Sequence, residues 1–111
     1  MPNLNLTNVN IVNLISTILQ FYRVGYPQIE MNFKSPKKLL LKMDKEKMNR
    51  LLVNLINNSI DVLEDWTNPI LNIEVVHDED AEMVFIHVVD NGPGFDQSTL
   101  NQVLQLSLIH I

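Results

Sequence analysis

The chain has 111 residues, which is enough for one small domain with a core and too few for two domains. Its 46% hydrophobic and 19% charged residues exclude a disordered chain, and its lack of cysteine excludes disulfide bonds, thiol catalysis and cysteine-ligated zinc. The formal net charge of −5 is unevenly placed, because every Lys and Arg lies between Arg23 and Arg50; the acidic second half disfavours nucleic acid as a partner.

The N-terminal third of the chain predicts a helix followed by two strands. Residues 7–22 carry apolar side chains at helical spacing, and Thr7 or Asn8 can cap the start of this helix. Residues 28–34 alternate between apolar and polar side chains, which is typical of a half-buried strand, and residues 39–43 form a short apolar run. A short turn separates the two strands, so we expect them to pair as a hairpin.

A long second helix follows, capped by Asp44 and extending to about residue 65. Its apolar positions fit the 3.6-residue period of a helix. The predicted apolar face consists of Met48, Leu51, Leu52, Leu55, Ser59, Val62, Leu63 and Trp66.

The second half of the chain predicts two more strands, a loop and a third helix. Residues 70–77 and 83–89 form the strands, residues 90–95 the glycine-containing loop, and residues 97–105 the helix. Helices that cover one face of a mixed or antiparallel sheet make a two-layer sandwich, so we predict an α+β fold. No linker or internal repeat divides the chain.

Asparagine is unusually frequent in the middle of the long predicted helix, where its side chain competes with the backbone for hydrogen bonds. Asn54, Asn58 and Asp61 fall within about 60° of one another around the helix axis, at the edge of the apolar face. An amide oxygen is a suitable ligand for Mg²⁺, which commonly takes one or two protein oxygens together with substrate phosphates. The alternative is a solvated polar flank without a ligand.

The loop Asp90-Asn91-Gly92-Pro93-Gly94 follows a continuously apolar strand. Gly92 and Gly94 allow backbone angles or a close approach that a Cβ would block. The Asp90 carboxylate is positioned to accept a hydrogen bond from the exocyclic amine of a purine. Taken alone, the same residues also form an ordinary turn.

Together, the two segments resemble a known ATP-binding superfamily. Residues 44–59 resemble the asparagine box of histidine kinases, and residues 90–94 resemble their first glycine box, in the same order and at a matching separation. The resemblance covers about residues 4–105 and implies the Bergerat ATP-binding fold, with ATP and Mg²⁺ as ligands. It implies that Asn58 is the principal magnesium ligand and that Asn54 lies near the same metal and phosphates.

The same resemblance implies that Asp90 recognises the adenine amino group, and that Gly92 and Gly94 let the loop pass beside the nucleotide. Position 54 distinguishes the branches of the superfamily, because gyrase-type ATPases and anti-sigma-factor kinases usually have Glu there as a base. Asn54 cannot take a proton at neutral pH, which favours a histidine kinase. The alternatives are another Bergerat-type ATPase, an anti-sigma-factor Ser/Thr kinase, and a non-enzymatic interaction module.

A histidine kinase of two-component signalling transfers the γ-phosphoryl group of ATP to a histidine. The resemblance implies that this histidine belongs to a separate dimerisation domain and that a response regulator is the further partner. None of the three histidines, His77, His87 and His110, sits in a His-Glu setting like that of the family's phosphoacceptor, so we predict a structural role for His87 and no catalytic residue in this chain.

The family pattern ends before its lid, second glycine box and last strands. We therefore expect residues 1–105 to be a partial ATP-binding domain, and residues 106–111 to be an atypical and non-native tail. We expect the fragment alone to be inactive. The chain shows no signal peptide or membrane-spanning run, so we expect it to be cytoplasmic, as a free protein or as part of a membrane-bound receptor.

Overall fold

The computed structural model describes residues 5–92 in full and the backbone of residues 101–107. Two helices and six strands make up these residues, which confirms the predicted α+β class. In chain order the elements are β1 (Leu6–Asn10), α1 (Ile11–Gly25), β2 (Glu30–Lys34), β3 (Leu40–Asp44), α2 (Lys45–Leu63), β4 (Ile70–Asp78), β5 (Met83–Asp90) and β6 (Asn101–Ser107).

The strands form two separate sheets. Four of them make the larger sheet in the order β2-β4-β5-β6, in which β2 runs parallel to β4 and the other neighbours are antiparallel. The remaining pair, β1 and β3, forms an antiparallel ribbon with Leu6 opposite Asp44 and Asn10 opposite Leu40. The predicted hairpin between residues 28–34 and 39–43 is therefore wrong, because β3 pairs with a strand that the sequence pattern did not reveal.

The first helix begins later than the sequence pattern predicts. Residues 6–10 pair with β3, and α1 starts only at Ile11. The cap is Asn10, whose side chain accepts hydrogen bonds from the backbone N–H groups of Val12 and Asn13, and not Thr7 or Asn8. Pairing with β3 satisfies the backbone groups of residues 6–10, so this tertiary partner outweighs the local helical spacing.

The core lies between the helices and one face of the four-stranded sheet. Along β4 and β5 every second residue is buried, as expected for strands with only one covered face. This arrangement confirms the predicted two-layer sandwich. Burial of each of these aliphatic side chains contributes on the order of 1.5–3 kcal/mol to folding. The buried strand residues are Leu71, Ile73 and Val75 on β4, and Val84, Ile86 and Val88 on β5.

The buried face of α2 is rotated relative to the predicted one. Leu51, Val62 and Trp66 are 39%, 38% and 39% exposed, although the helical period assigned them to the core. Ile56 and Ile60 are buried in their place, because the helix carries two overlapping apolar stripes and packing selects between them. The buried residues of α2 are Met48, Leu52, Ile56, Ser59, Ile60 and Leu63.

The predicted C-terminal helix over residues 97–105 is also wrong, since residues 101–107 form strand β6. This strand pairs with all of β5 except its last residue, Asp90, from Asn101 opposite Val89 to Ser107 opposite Met83. Without it, β5 would present an open row of N–H and C=O groups, and pairing satisfies them. Neither helix in the described residues is long and apolar enough to cross a membrane.

Candidate functional site

The asparagines of α2 point in two directions. The Asn57 side-chain oxygen accepts a hydrogen bond of 2.7 Å from the hydroxyl of Tyr22 on α1, whereas Asn54 and Asn58 are exposed. Burial raises the pKa of Tyr22, so its hydroxyl stays protonated and donates this bond. Asn57 therefore joins the two helices, which the sequence pattern did not reveal because the partner is 35 residues away.

Asn54 and Asn58 lie on a single ridge of α2. Asn54, Asn58 and Val62 are spaced four residues apart, so each is rotated by only about 40° and shifted by about 6 Å from the one before. We call these three residues the Asn ridge. The ridge runs toward the C-terminal end of the helix, and its two asparagines are exposed.

Asp90, Asn91 and Gly92, at the end of β5, form a corner that we call the glycine corner. Asp90 is only 6% exposed, and its Oδ1 atom accepts a 2.9 Å hydrogen bond from the backbone N–H of Gly92. The other carboxylate oxygen, Oδ2, has no partner among the described residues. The corner therefore presents one hydrogen-bond acceptor that is already oriented.

Gly92 is required here for space and not for an unusual backbone angle, since its φ is not positive. A Cβ at this position would lie 2.6 Å from Cγ1 of Val62 and 3.3 Å from Cδ2 of Leu63. Only a glycine lets β5 approach α2 this closely. This contact places the glycine corner directly against the last residue of the Asn ridge.

The structure places Gly92, to which Asp90 is hydrogen-bonded, against Val62 and Leu63 of α2, one helical turn beyond Asn58. Asn54 lies one turn further back and is exposed, about 180° around the helix axis from Leu63. Asn54 and Asn58 precede Val62 along the helix, and Val62 contacts the corner that contains the buried Asp90 carboxylate. The fifth predicted residue, Gly94, lies outside the described residues.

An open groove of about 490 Å³ lies beside the C-terminal end of α2 and is not part of this arrangement. Asp61, Glu64 and Asp65 line it, together with Trp66. Three carboxylates repel a phosphate, so the groove is a poor phosphate site despite its volume. The sequence pattern grouped Asp61 with the asparagines, but the structure places it at this groove.

The residues of the Asn ridge and the glycine corner fit an adenine nucleotide with Mg²⁺. Neutral amide oxygens add no negative charge beside phosphates, and Mg²⁺ accepts them in a shell completed by water and phosphate oxygens. The oriented Asp90 carboxylate matches an exocyclic amine, which donates hydrogen bonds. Because Gly92 has no Cβ, the corner can lie close to the helix.

Solved structures with the same architecture are catalytic parts of sensor histidine kinases. A nucleotide-free form of the ThkA catalytic domain matches with a TM-score of 0.74 at 20% identity, over 85% of this chain and 63% of that domain. The complex of ThkA with the response regulator protein TrrA matches with a TM-score of 0.72 at 19% identity, over 86% and 28% of the two chains. Full-length ShkA in complex with AMPPNP matches with a TM-score of 0.71 at 21% identity, over 88% and 21%.

The chain has the fold of a histidine kinase catalytic domain. It spans 63% of the length of the ThkA domain that it matches. Neither protein-family models nor curated protein sequences match the chain.

Within the histidine kinase fold, the two described histidines lie on the sheet and away from the Asn ridge. His87 alternates along β5 with the buried residues Ile86 and Val88, so it points to the face of the sheet opposite the helices. It pairs across the strands with Glu74 of β4. His77 is on β4, and His110 lies outside the described residues.

Proposed function

We propose that this chain is the ATP-binding portion of a sensor histidine kinase, and that it presents ATP and Mg²⁺ to a histidine on another domain. The observation that carries the proposal is the contact between Gly92 and Val62. It joins a ridge with two amide side chains to a buried carboxylate within the histidine kinase fold.

Each side chain has a defined task in this proposal. Oδ2 of Asp90 accepts a hydrogen bond from the adenine amino group, directly and through water, while Oδ1 stays bound to Gly92. Asn58 supplies an oxygen to Mg²⁺, and Asn54 lies beside the same metal and the phosphates. Gly94, together with Gly92, lets the loop pass close to the nucleotide.

The parent reaction is transfer of the γ-phosphoryl group to a histidine nitrogen, with loss of ADP. Bound Mg²⁺ neutralises the charge that develops on the phosphate oxygens, so catalysis consists mainly of positioning and electrostatic stabilisation. Asn54 has no basic group, so it does not activate water and ATP is preserved for the histidine. A response regulator then takes the phosphoryl group from that histidine.

The partner histidine belongs to a dimerisation domain of the parent protein in this proposal, since His77 and His87 lie on the sheet. We place the reaction in the cytoplasm, where ATP and response regulators are available. We expect the 111-residue chain alone to bind ATP weakly and to transfer no phosphate, because the chain spans only 63% of the ThkA catalytic domain.

Binding of the adenine base is the first part of the proposal to test. NMR spectra of the ¹⁵N-labelled chain, which detect millimolar affinity, should show shifts at Asp90, Gly92 and Asn58 when ADP and Mg²⁺ are added. Inosine diphosphate, which has an oxygen in place of the adenine amine, should bind more weakly. Absence of any shift with several millimolar ADP would refute the proposed function.

The variant Asp90→Asn separates recognition of the base from folding. The amide oxygen still accepts from the Gly92 N–H, but the side-chain NH₂ then faces the adenine amine, and two donors oppose each other. We expect ADP affinity to fall about 10- to 100-fold, as for loss of a hydrogen bond to a charged group, and the preference over inosine diphosphate to disappear. Equal ADP affinity in both proteins would contradict the role of Asp90.

A further inference from the structure

Asn91 lies between Asp90 and Gly92, and its side chain makes two hydrogen bonds, one to the turn that connects α2 to β4 and one to the first residue of β4. Its Oδ1 accepts a 2.8 Å bond from the backbone N–H of Ile70, and its Nδ2 donates a 2.9 Å bond to the backbone carbonyl of Asn68. Its backbone N–H also donates to the carbonyl of Ile70 at 3.2 Å. Asn91 is therefore held at three points although it is exposed.

These bonds occur where the β4–β5 ladder ends. The last strand pair of the ladder is Leu71 opposite Asp90, and the next antiparallel position would place Ile70 opposite Asn91. At this position the backbone N–H of Asn91 donates to the Ile70 carbonyl, as in a regular ladder. The Ile70 N–H donates to the side-chain oxygen of Asn91, where a regular ladder would use the main-chain carbonyl of Asn91. The main-chain carbonyl of Asn91 is therefore not needed for this bond, and the ladder can end here while the Ile70 N–H keeps a hydrogen-bond partner.

The contacted turn is itself shaped by an uncommon backbone conformation. Asn68, whose carbonyl accepts from Asn91, has a φ of 54°, in the left-handed region. The turn follows α2 and leads into β4 at Ile70. Through its bond to this turn, Asn91 links the glycine corner to the segment that follows the helix carrying the Asn ridge.

We propose that Asn91 is a positioning residue that holds the glycine corner in the arrangement required for nucleotide binding. This inference rests on the proposed function and deepens it. Asn is suited to the task because one planar group carries both an acceptor and a donor. Asp supplies only acceptors, and its carboxylate would face the Asn68 carbonyl.

The test compares Asn91→Ala with the matched control Asn72→Ala in the 111-residue chain. Asn72 is also an exposed Asn, on β4, and accepts a side-chain hydrogen bond from Asn32 at 2.9 Å; it pairs with Val89, but its side chain lies on the face of the sheet opposite the one that buries Asp90. The first readout is hydrogen exchange of the Gly92 amide, measured relative to the amides of Ile73 and Ile86 in the strand centres. This ratio reports local opening of the corner and not global stability.

We expect Asn91→Ala to lower the relative protection of the Gly92 amide about tenfold, and Asn72→Ala to leave it unchanged. The second readout is affinity for ADP with Mg²⁺, which should fall about tenfold in Asn91→Ala and remain within about twofold in the control. Asn91→Asp, which keeps the acceptor and loses the donor, should give intermediate values in both readouts.

Unchanged protection of Gly92 in Asn91→Ala would overturn the inference, whatever the affinity. Lower protection with unchanged affinity would also overturn it, because Asn91 would then have a purely structural role. If the unmodified chain binds no ADP, the proposed function fails, while the exchange measurement still decides whether Asn91 holds the corner. The two failures are therefore distinguishable.

Discussion

The two sides of the candidate site differ in how they are held. The glycine corner is fixed by the protein, since Asp90 is buried and bonded to Gly92, and Asn91 makes two hydrogen bonds to Ile70 at the start of β4 and one to Asn68 in the turn before it. The Asn ridge is held in place because the opposite face of α2 is buried in the core. The two amide side chains of the ridge are exposed. In the proposed function, the side that recognises the base is therefore already arranged, whereas the metal end would be completed by water and phosphate oxygens.

This difference predicts two kinds of variant. Changes at the glycine corner should alter stability and nucleotide affinity together, because the corner is part of the packed structure. Changes on the Asn ridge should alter affinity and its dependence on Mg²⁺, with little effect on stability.

Gly92→Ala should have the largest effect. The new methyl group would meet Cγ1 of Val62 at 2.6 Å and Oδ1 of Asp90 at 3.1 Å, so β5 and α2 must move apart. We expect the free energy of unfolding to fall by about 1–3 kcal/mol, as for other overpacked sites, and ADP binding to be lost. Urea denaturation followed by circular dichroism measures the first effect, and NMR titration the second.

Gly25→Ala is the matched control, because a Cβ at that position meets nothing within 4 Å. It replaces the last residue of α1 and should leave stability unchanged or raise it by up to about 1 kcal/mol. The double variant Gly92→Ala, Val62→Ala removes the clashing side chain and should recover part of the stability. If Gly92→Ala kept the free energy of unfolding of the original chain, the glycine corner would tolerate substitution as well as the Asn ridge is expected to, and the predicted difference would be contradicted.

Asn58→Ala should have the next largest effect, and it should act through the metal. We expect the gain in ADP affinity produced by Mg²⁺ to shrink about tenfold or more, while affinity measured in EDTA changes little. Asn49→Ala is the control, since this exposed Asn on α2 lies nine residues away and about 180° around the axis. An equal Mg²⁺ effect in the Asn58 variant and the unmodified chain would remove the ridge from the metal site.

Tyr22→Phe tests whether the ridge depends on the bond between the helices. The variant loses the 2.7 Å bond from Tyr22 to Asn57 and should destabilise the chain by about 0.5–1 kcal/mol, because the exposed Asn57 amide can turn to water. Tyr26→Phe is the control, since the Tyr26 hydroxyl makes no hydrogen bond among the described residues. We expect ADP affinity within about twofold of the original; a larger loss would mean that Asn57 orients the ridge.

Much of the site could be predicted from the sequence because its signals are local. The pattern of three asparagines within five residues of a helix, and that of two glycines after an apolar strand, each involve only neighbouring residues. Asn54, Asn58, Asp90 and Gly92 are predicted in this way, and the structure places Gly92 against Val62, one helical turn beyond Asn58. Contacts between distant residues were missed, such as the bond from Tyr22 to Asn57.

The errors in the fold have the same origin. Strands β1 and β6 read as helix in the sequence, and both are decided by partners, β3 and β5, that lie elsewhere in the chain. The rotated face of α2 is a related case, because Leu51 and Ile56 are equally apolar and only packing against the sheet buries the second. Local periodicity fixes the type of a long element more reliably than its pairing or its exact face.

The smallest effect concerns the other end of α2, where Asp44 caps the helix. Backbone N–H groups of Lys47 and then Asn5 donate to its carboxylate at 3.1 Å each and lower its pKa from the ordinary value of 3.8. A lowered pKa in the folded chain means that the stabilisation is complete above the ordinary pKa and is lost as pH falls through the folded one. The window therefore lies below about pH 4.

Asp44→Asn isolates this contribution, because Asn caps helices about as well as Asp but does not titrate. Urea midpoints of the two proteins should differ by a constant amount from pH 7 to pH 5, and the original chain should lose stability relative to the variant as pH falls below 3.8. A pH-independent difference would show that the cap carries no charge-dependent stabilisation. ADP affinity at pH 7 should be the same in both proteins, because the cap lies ten residues before Asn54 and holds the helix without shaping the site.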